Sequence, residues 1–341
     1  MSAPTPWWDR ESHADRRPFL EARGRIRRAI RAWFEVRGFT EVECGALQVS
    51  PGNEAHLHAF ATARNDDAGG SQPLYLHTSP EFACKKLLAA GETRIFDFAR
   101  VYRNREEGPL HASEFTMLEW YRANASWDQV IADTVDVCRE AVLAIGGNQL
   151  SWRGQTCDPA ADPERLTLVE AFSSHAGIDL GAVLGDRDGL ARAAQGRDVR
   201  VGPDDSWSDI FSRVLVQHIE PKLGQGRLTV LCEYPAEEAA LARPLPHDRR
   251  FAERFELYAC GVELANGFGE LTDPIEQRRR FEAEMDVKQA TYGERYPLDE
   301  DFLAALAHMP PASGVALGFD RLVMLASGAR RISDVLWTPP V

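Results

Sequence analysis

The stretch Ile95–Arg122 places Arg103 at the end of one apolar strand and Glu119 and Tyr121 on the next. On the second strand Phe115, Met117, Glu119 and Tyr121 share one face, and Thr116, Leu118 and Trp120 the other. A half-buried carboxylate stays charged only beside a cation or hydrogen-bond donors, and a bound ligand could be that cation. A second stretch, Phe251–Thr272, carries Glu256 and Glu263 on strands joined by the two-residue turn Cys260-Gly261. In the register that turn sets, Ala259 faces Val262, Tyr258 faces Glu263, and Glu256 faces Ala265. The two glutamates then lie diagonally on one face. Close carboxylates repel unless a cation sits between them, and oxygen ligands so spaced suit magnesium. A solvated outer face of a hairpin competes with that use. Asn266 and Glu270 follow among glycines that break the alternation, so pattern assigns them no side. In the third stretch, from Ser313, a small-residue strand ends at Gly318 and a helix opens with Asp320 and Arg321. A helix N-terminus beside an arginine suits phosphate.

Strands joined by short turns, with helices between the groups, indicate an α+β fold: a mainly antiparallel sheet flanked by helices. Residues 1–18 are polar and proline-containing, and are expected to be a flexible lead-in. Residues 19–341 read as a single domain, because no linker or repeat divides them. A helix is expected over Pro18–Arg37, with its arginines on a solvated face. A helical excursion is expected around 165–225. Ser79, Pro80 and Glu81 open another helix, with Ser79 as cap, Pro80 at the first position and Glu81 in the first turn. On local grounds Glu81 is a helix-start residue.

The formal charge of −13 argues against a broad nucleic-acid surface. Six cysteines without a CxxC pair fit a reducing compartment and no zinc site. No apolar run is long enough to span a bilayer and no signal peptide is evident, so a cytoplasmic enzyme is expected. The glycine signatures GxGxxG and GxxxxGK[ST] are absent.

Together, the three stretches resemble the signature motifs of class II aminoacyl-tRNA synthetases in their lysyl branch. Arg103 with EFTMLEWYR resembles motif 2, GVALGFDRL motif 3 and RGFTEVECGAL motif 1. ELANGFGEL with Glu256 resembles the lysyl subgroup. The likeness runs from about Phe19 to about Leu325, and EFTMLEWYR with ELANGFxELTD is its most specific part. Motif 1 begins within the first forty residues, which leaves no room before it for an anticodon-binding domain, so anticodon recognition is not expected. A free-standing core of this kind is similar to the elongation factor P–lysine ligases. The resemblance implies that ATP and Mg2+ activate lysine or (R)-β-lysine as an adenylate. The lysyl group then passes to a lysine side chain of elongation factor P. A homodimer is also implied, and no membrane partner.

Carried over residue by residue, the resemblance gives Arg103 the α-phosphate and Arg321 the γ-phosphate, both catalytic with Glu119. It adds Asn104, Arg105, Glu106, His111, Glu263, Leu264 and Gly318 to the ATP site. Glu256 and Glu263 hold the metal. Ser79, Pro80, Glu81, Glu119, Tyr121, Asn266, Glu270 and Ala316 bind the amino acid, which turns Glu81 from a helix-start residue into a ligand group. Three positions depart from the family pattern. Arg105 stands where motif 2 usually has the glutamate that reads adenine, Ala112 where it has asparagine, and Gly45 where motif 1 has proline. Two alternatives stay open: activation of an amino acid for another carrier, tRNA included, and a pseudo-synthetase without catalysis.

Overall fold

The computed structural model describes residues 5–339. Eight strands form the main sheet: β1 (Thr40–Glu41), β2 (Arg94–Tyr102), β3 (Glu114–Ala123), β4 (Glu164–Thr167), β5 (Thr229–Pro235), β6 (Phe251–Ala259), β7 (Val262–Gly269) and β8 (Ala312–Gly318). Their spatial order is β1-β2-β3-β8-β7-β6-β5-β4. The six central strands pair antiparallel, and only the short edge strands β1 and β4 join in parallel. The expected mainly antiparallel α+β sheet is what forms.

The alternation on β3 divides the molecule. Leu118 and Trp120 point into the principal core, where helices α1 (Arg10–Glu35) and α3 (Trp127–Leu143) cover that face. Phe34 of α1 stacks on Phe96 of β2, with ring centroids 4.6 Å apart. Burying such rings contributes about 1.5–3 kcal/mol each, so this face anchors the sheet. Met117, Glu119 and Tyr121 point to the other face, where α2 (Glu81–Ala89) packs through Phe82 against Phe302. Helix α4 (Pro274–Tyr292) adds Phe281 to the same cluster. From Leu168 to Lys222 the chain is largely helical and has its own apolar cluster around Phe172, Leu190 and Phe211.

Two expectations about the N-terminal region need correction. The lead-in was expected through residue 18, but α1 begins at Arg10, capped by the Asp9 carboxylate on the Glu11 and Ser12 N–H groups. Residues 1–4 lie outside the described residues. Pro18 sits inside the helix, where local pattern takes a proline for a helix start. Nor are all the α1 arginines solvated. Arg23 is buried and donates to Asp320 and to Thr116 Oγ1, and Arg16 is buried against the Leu336 carbonyl. Tertiary partners far along the chain supply these contacts, and periodicity cannot show them.

Candidate active site

Register builds the site as rows across the sheet. Asp97, Glu119, Ala316, Asn266 and Glu256 sit opposite one another on five consecutive strands. The next row runs Tyr121, Gly314, Phe268, Arg254. Alanine and glycine at the middle of these rows leave room between longer side chains. At Gly314 a Cβ would collide with the Tyr121 ring and Glu270.

The hairpin register differs from the one its turn implies. Ala259 faces Val262 and Tyr258 faces Glu263 as expected, but a bulge next to Tyr258 puts Glu256 opposite Asn266 rather than Ala265. The extra residue returns Asn266 to the face of Glu263, which settles the side that the glycines had left open.

A cleft of about 300 Å³ runs over these rows. Phe115, Met117, Leu110 and Ile332 give it an apolar wall, and Arg103 and Arg321 stand beside that wall. This composition suits a flat base with an anionic tail. Arg321 is fixed by donating to the Leu110 carbonyl (3.2 Å) and the Glu263 carbonyl (3.0 Å). Its Nη2 lies 2.8 Å from His111 Nε2. Burial and the Arg321 charge push His111 below the usual histidine pKa, so the neutral ring accepts from the guanidinium. Asp320 anchors the start of helix α5 (Phe319–Ser327) by accepting from Arg23 and from the Thr116 N–H (2.8 Å). Arg103 donates to the Thr78 carbonyl at 3.2 Å. Glu263, Leu264 and Gly318 also line the cleft.

The side chains of Asn104 and Arg105 do not line it, contrary to what the resemblance implies. Arg105 has left-handed backbone (φ 66°) and its guanidinium pairs with Glu294 and lies near His58. Glu106 faces the cleft in its stead, 3.9 Å from Arg103. Ala112 packs with Ile332 and Leu336 in a small apolar cluster, while the Pro109 carbonyl accepts from Ile332 N at 2.8 Å. Where the family pattern has an asparagine amide, this chain clamps the loop with its C-terminal segment.

A smaller chamber of about 50 Å³ adjoins the cleft and shares Arg103, Asn266 and Ala316 with it. Ser79, Glu81, Tyr121 and Glu270 line it. Pro80 does not; it lines a neighbouring cavity. Lys85, which sequence reasoning missed, lies buried between Glu81 Oε1 (2.5 Å) and Glu270 Oε2 (2.6 Å). Its signal was the i,i+4 spacing from Glu81. Burial opposes its charge, but Glu270 and Glu81 outweigh it and hold the pKa above the usual lysine value. Burial pushes the Glu270 carboxyl up to about 8 although Lys85 opposes this. Between two carboxylates the ammonium is the species that stays charged, so Lys85 carries the firmer direction.

Glu119 takes a different place from the one expected. It is fully buried behind the chamber wall, accepting from Ser79 Oγ and from Tyr121 OH (2.8 Å). Burial and then the Glu81 charge push it up to about 8. It positions two chamber groups rather than facing the chamber itself.

Glu256 accepts from Tyr258 OH and Arg254 Nη2, both at 2.6 Å, while Glu263 keeps an open side toward Arg321 at 3.4 Å. Glu220, also missed, joins them: Tyr258 OH donates to it at 3.4 Å. Burial, Glu256 and Glu263 push Glu220 up to about 7, and burial raises Glu256 as well. Among the described residues no three His, Cys, Asp or Glu groups form a metal cage. The crowded hard oxygens fit a magnesium ion that takes its remaining ligands from phosphate and water.

With that geometry in view, similarity decides the family. The family model for tRNA synthetases class II (D, K and N) matches residues 7–340. This chain is a member of that family. An elongation factor P–(R)-β-lysine ligase of Sodalis glossinidius is 40% identical to this class II chain over 311 residues, covering 90% of each. One from Haemophilus influenzae strain PittGG is 37% identical over 338 residues, covering 98% of each. A lysine–tRNA ligase of Pelotomaculum thermopropionicum is 36% identical over 323 residues, covering 94% of this chain and 63% of its own. Among the described residues no helix of this class II protein is long and apolar enough to cross a membrane.

Proposed function

We propose that this chain uses ATP to activate lysine or (R)-β-lysine as the aminoacyl-adenylate and transfers it to a lysine side chain of elongation factor P. One observation carries the substrate class: the chamber next to the arginine-lined cleft is lined by Glu81 and Glu270, two carboxylates that share the single cation of Lys85 and so leave a net negative charge for a substrate ammonium. The amino acid's carboxylate attacks the α-phosphorus and pyrophosphate leaves. No protein nucleophile is required. Arg103 and Arg321 neutralise the anions that must approach each other, and the main chain around Asn104 and Arg105 closes over the nucleotide with Glu106 and His111. Glu256 and Glu263 would hold a magnesium ion, which screens the phosphate charge when bound. Ser79 and Tyr121, oriented by Glu119, and Asn266 position the amino acid beside Ala316. Pairing of two copies through the motif 1 segment belongs to the same proposal; exposed Val36, Leu47 and Val49 support it.

The test is pyrophosphate exchange with lysine, (R)-β-lysine and norleucine, followed by addition of elongation factor P or tRNA. Exchange with the diamines and label on the protein is the expected result. Label on tRNA alone would favour the lysine–tRNA ligase relative, and no exchange with any amino acid would defeat the catalytic assignment.

A further inference from the structure

One carboxylate at the cleft differs from the rest. Glu54 lies on the loop between the strand Leu47–Gln48 and the strand Phe60–Asn65. The loop is fastened around it. Asn53 donates to the Pro297 carbonyl at 3.3 Å and Ala55 N to Glu284 at 2.9 Å. Lys288 donates to the Ala55 and Leu57 carbonyls, at 2.9 and 2.7 Å. Ala59 N donates to Tyr296 OH at 2.9 Å. The Glu54 side chain itself has no hydrogen bond or ion pair among the described residues, although it lines both the cleft and the smaller chamber. It therefore stands where the two meet, beside Arg103 and Ala316.

Resting on the proposed ligase function, this junction is where the activated carbonyl must lie, because the amino acid's carboxylate joins the α-phosphate there. The acceptor lysine arrives as an ammonium with a pKa of about 10.4, so at pH 7 only about one in a few thousand is nucleophilic. A base is required, and the other carboxylates are engaged. Glu81 and Glu270 hold Lys85, Glu119 holds Ser79 and Tyr121, Glu256 holds Arg254, Glu263 faces Arg321, and Glu106, in the cleft but not in the chamber, pairs with Arg103 at 3.9 Å.

We propose that Glu54 is the general base of the transfer step. Its carboxylate takes a proton from the acceptor ammonium. The freed lone pair forms the C–N bond to the acyl carbon. The bond from that carbon to the phosphate oxygen breaks, and AMP leaves with the electron pair. The surplus proton on nitrogen passes to the AMP phosphate, and Glu54 returns its own to solvent. The surroundings favour the role: burial raises its pKa, with Glu81 and Glu284 reinforcing and Arg103 and Arg254 opposing. Lys288 also faces it. A carboxylate raised toward neutrality is a stronger base than an exposed one.

The experiment compares Glu54→Gln with the wild type in both half-reactions of the full chain. Pyrophosphate exchange persists with an unchanged amino-acid KM, and this also reports that the variant folds. Single-turnover transfer to elongation factor P slows roughly a hundredfold or more and recovers as pH rises. A raised amino-acid KM in exchange, or transfer at the wild-type rate, overturns the proposal. Should the glutamine variant fail to fold, wild-type pH profiles decide: besides the acceptor amine's own ionisation at about 10, transfer shows a second, more acidic ionisation absent from exchange, and a transfer profile with the amine's ionisation alone overturns the proposal. Wild-type enzyme without exchange removes the ligase function, and the role of Glu54 with it.

Discussion

Replacing Glu270 with glutamine keeps the shape of the small chamber and removes one charge. A hydrogen bond between charged partners contributes about 1.5–3 kcal/mol. In the unliganded protein burial holds this carboxyl up, at about 8, so ionising it at pH 7 costs about 1 kcal/mol of that gain. The net advantage for an ammonium over an uncharged side chain is then about 0–2 kcal/mol at pH 7, at most roughly thirtyfold. At pH 9 the ionisation cost has gone while the substrate ammonium persists, and the advantage grows to roughly ten- to a hundredfold. The assay is pyrophosphate exchange with lysine against norleucine, as a ratio of kcat/KM, at both pH values. The wild-type ratio should climb with pH, and the Glu270→Gln ratio should stay low and flat. The KM for ATP should hold in both, because Glu270 does not line the larger cleft. Equal ratios for variant and wild type at pH 9 would refute the assignment of Glu270 to the ammonium.

Three further substitutions probe the same chamber. Lys85→Met leaves Glu81 and Glu270 without their shared cation, and should cost about 3–5 kcal/mol of stability near pH 8, measured by urea unfolding. Carboxyl pKa values raised in the folded variant mean that stability is present at low pH and lost as pH rises, so the deficit should shrink toward pH 5. Gly314→Ala should abolish exchange while nucleotide binding, read by calorimetry, survives. Glu119 is raised from its ordinary value to about 8, so its contribution is complete below pH 4.5 and lost as pH climbs through 8. Glu119→Gln should flatten that part of the melting-temperature profile.

The sheet and much of the site were legible because strand alternation is local. Glu119 and Tyr121 on one face of β3, and Glu256 and Glu263 on one face of their hairpin, follow from counting residues. The bulge was not legible: the extra residue falls at Leu264-Ala265 of β7, two buried residues in succession, and in a stretch of small residues and glycines such a doublet is also what a plain break in alternation gives. The depth of Glu119 was hidden too, because a face says nothing about which side chain reaches the surface. Lys85 had a readable spacing from Glu81, but a helical lysine is ordinarily solvated. Glu54 and Glu220 had no local signal at all. One sits in an irregular loop and the other at the end of an amphipathic helix, and only tertiary packing brings them to the site.

The most direct measurement is the intact mass of elongation factor P after incubation with this enzyme, ATP, magnesium and either lysine or (R)-β-lysine. The account predicts a gain equal to one lysyl residue, located on a single lysine side chain and absent when Arg103 is replaced by alanine. An unchanged mass, in a preparation that exchanges pyrophosphate with the same amino acid, would contradict it.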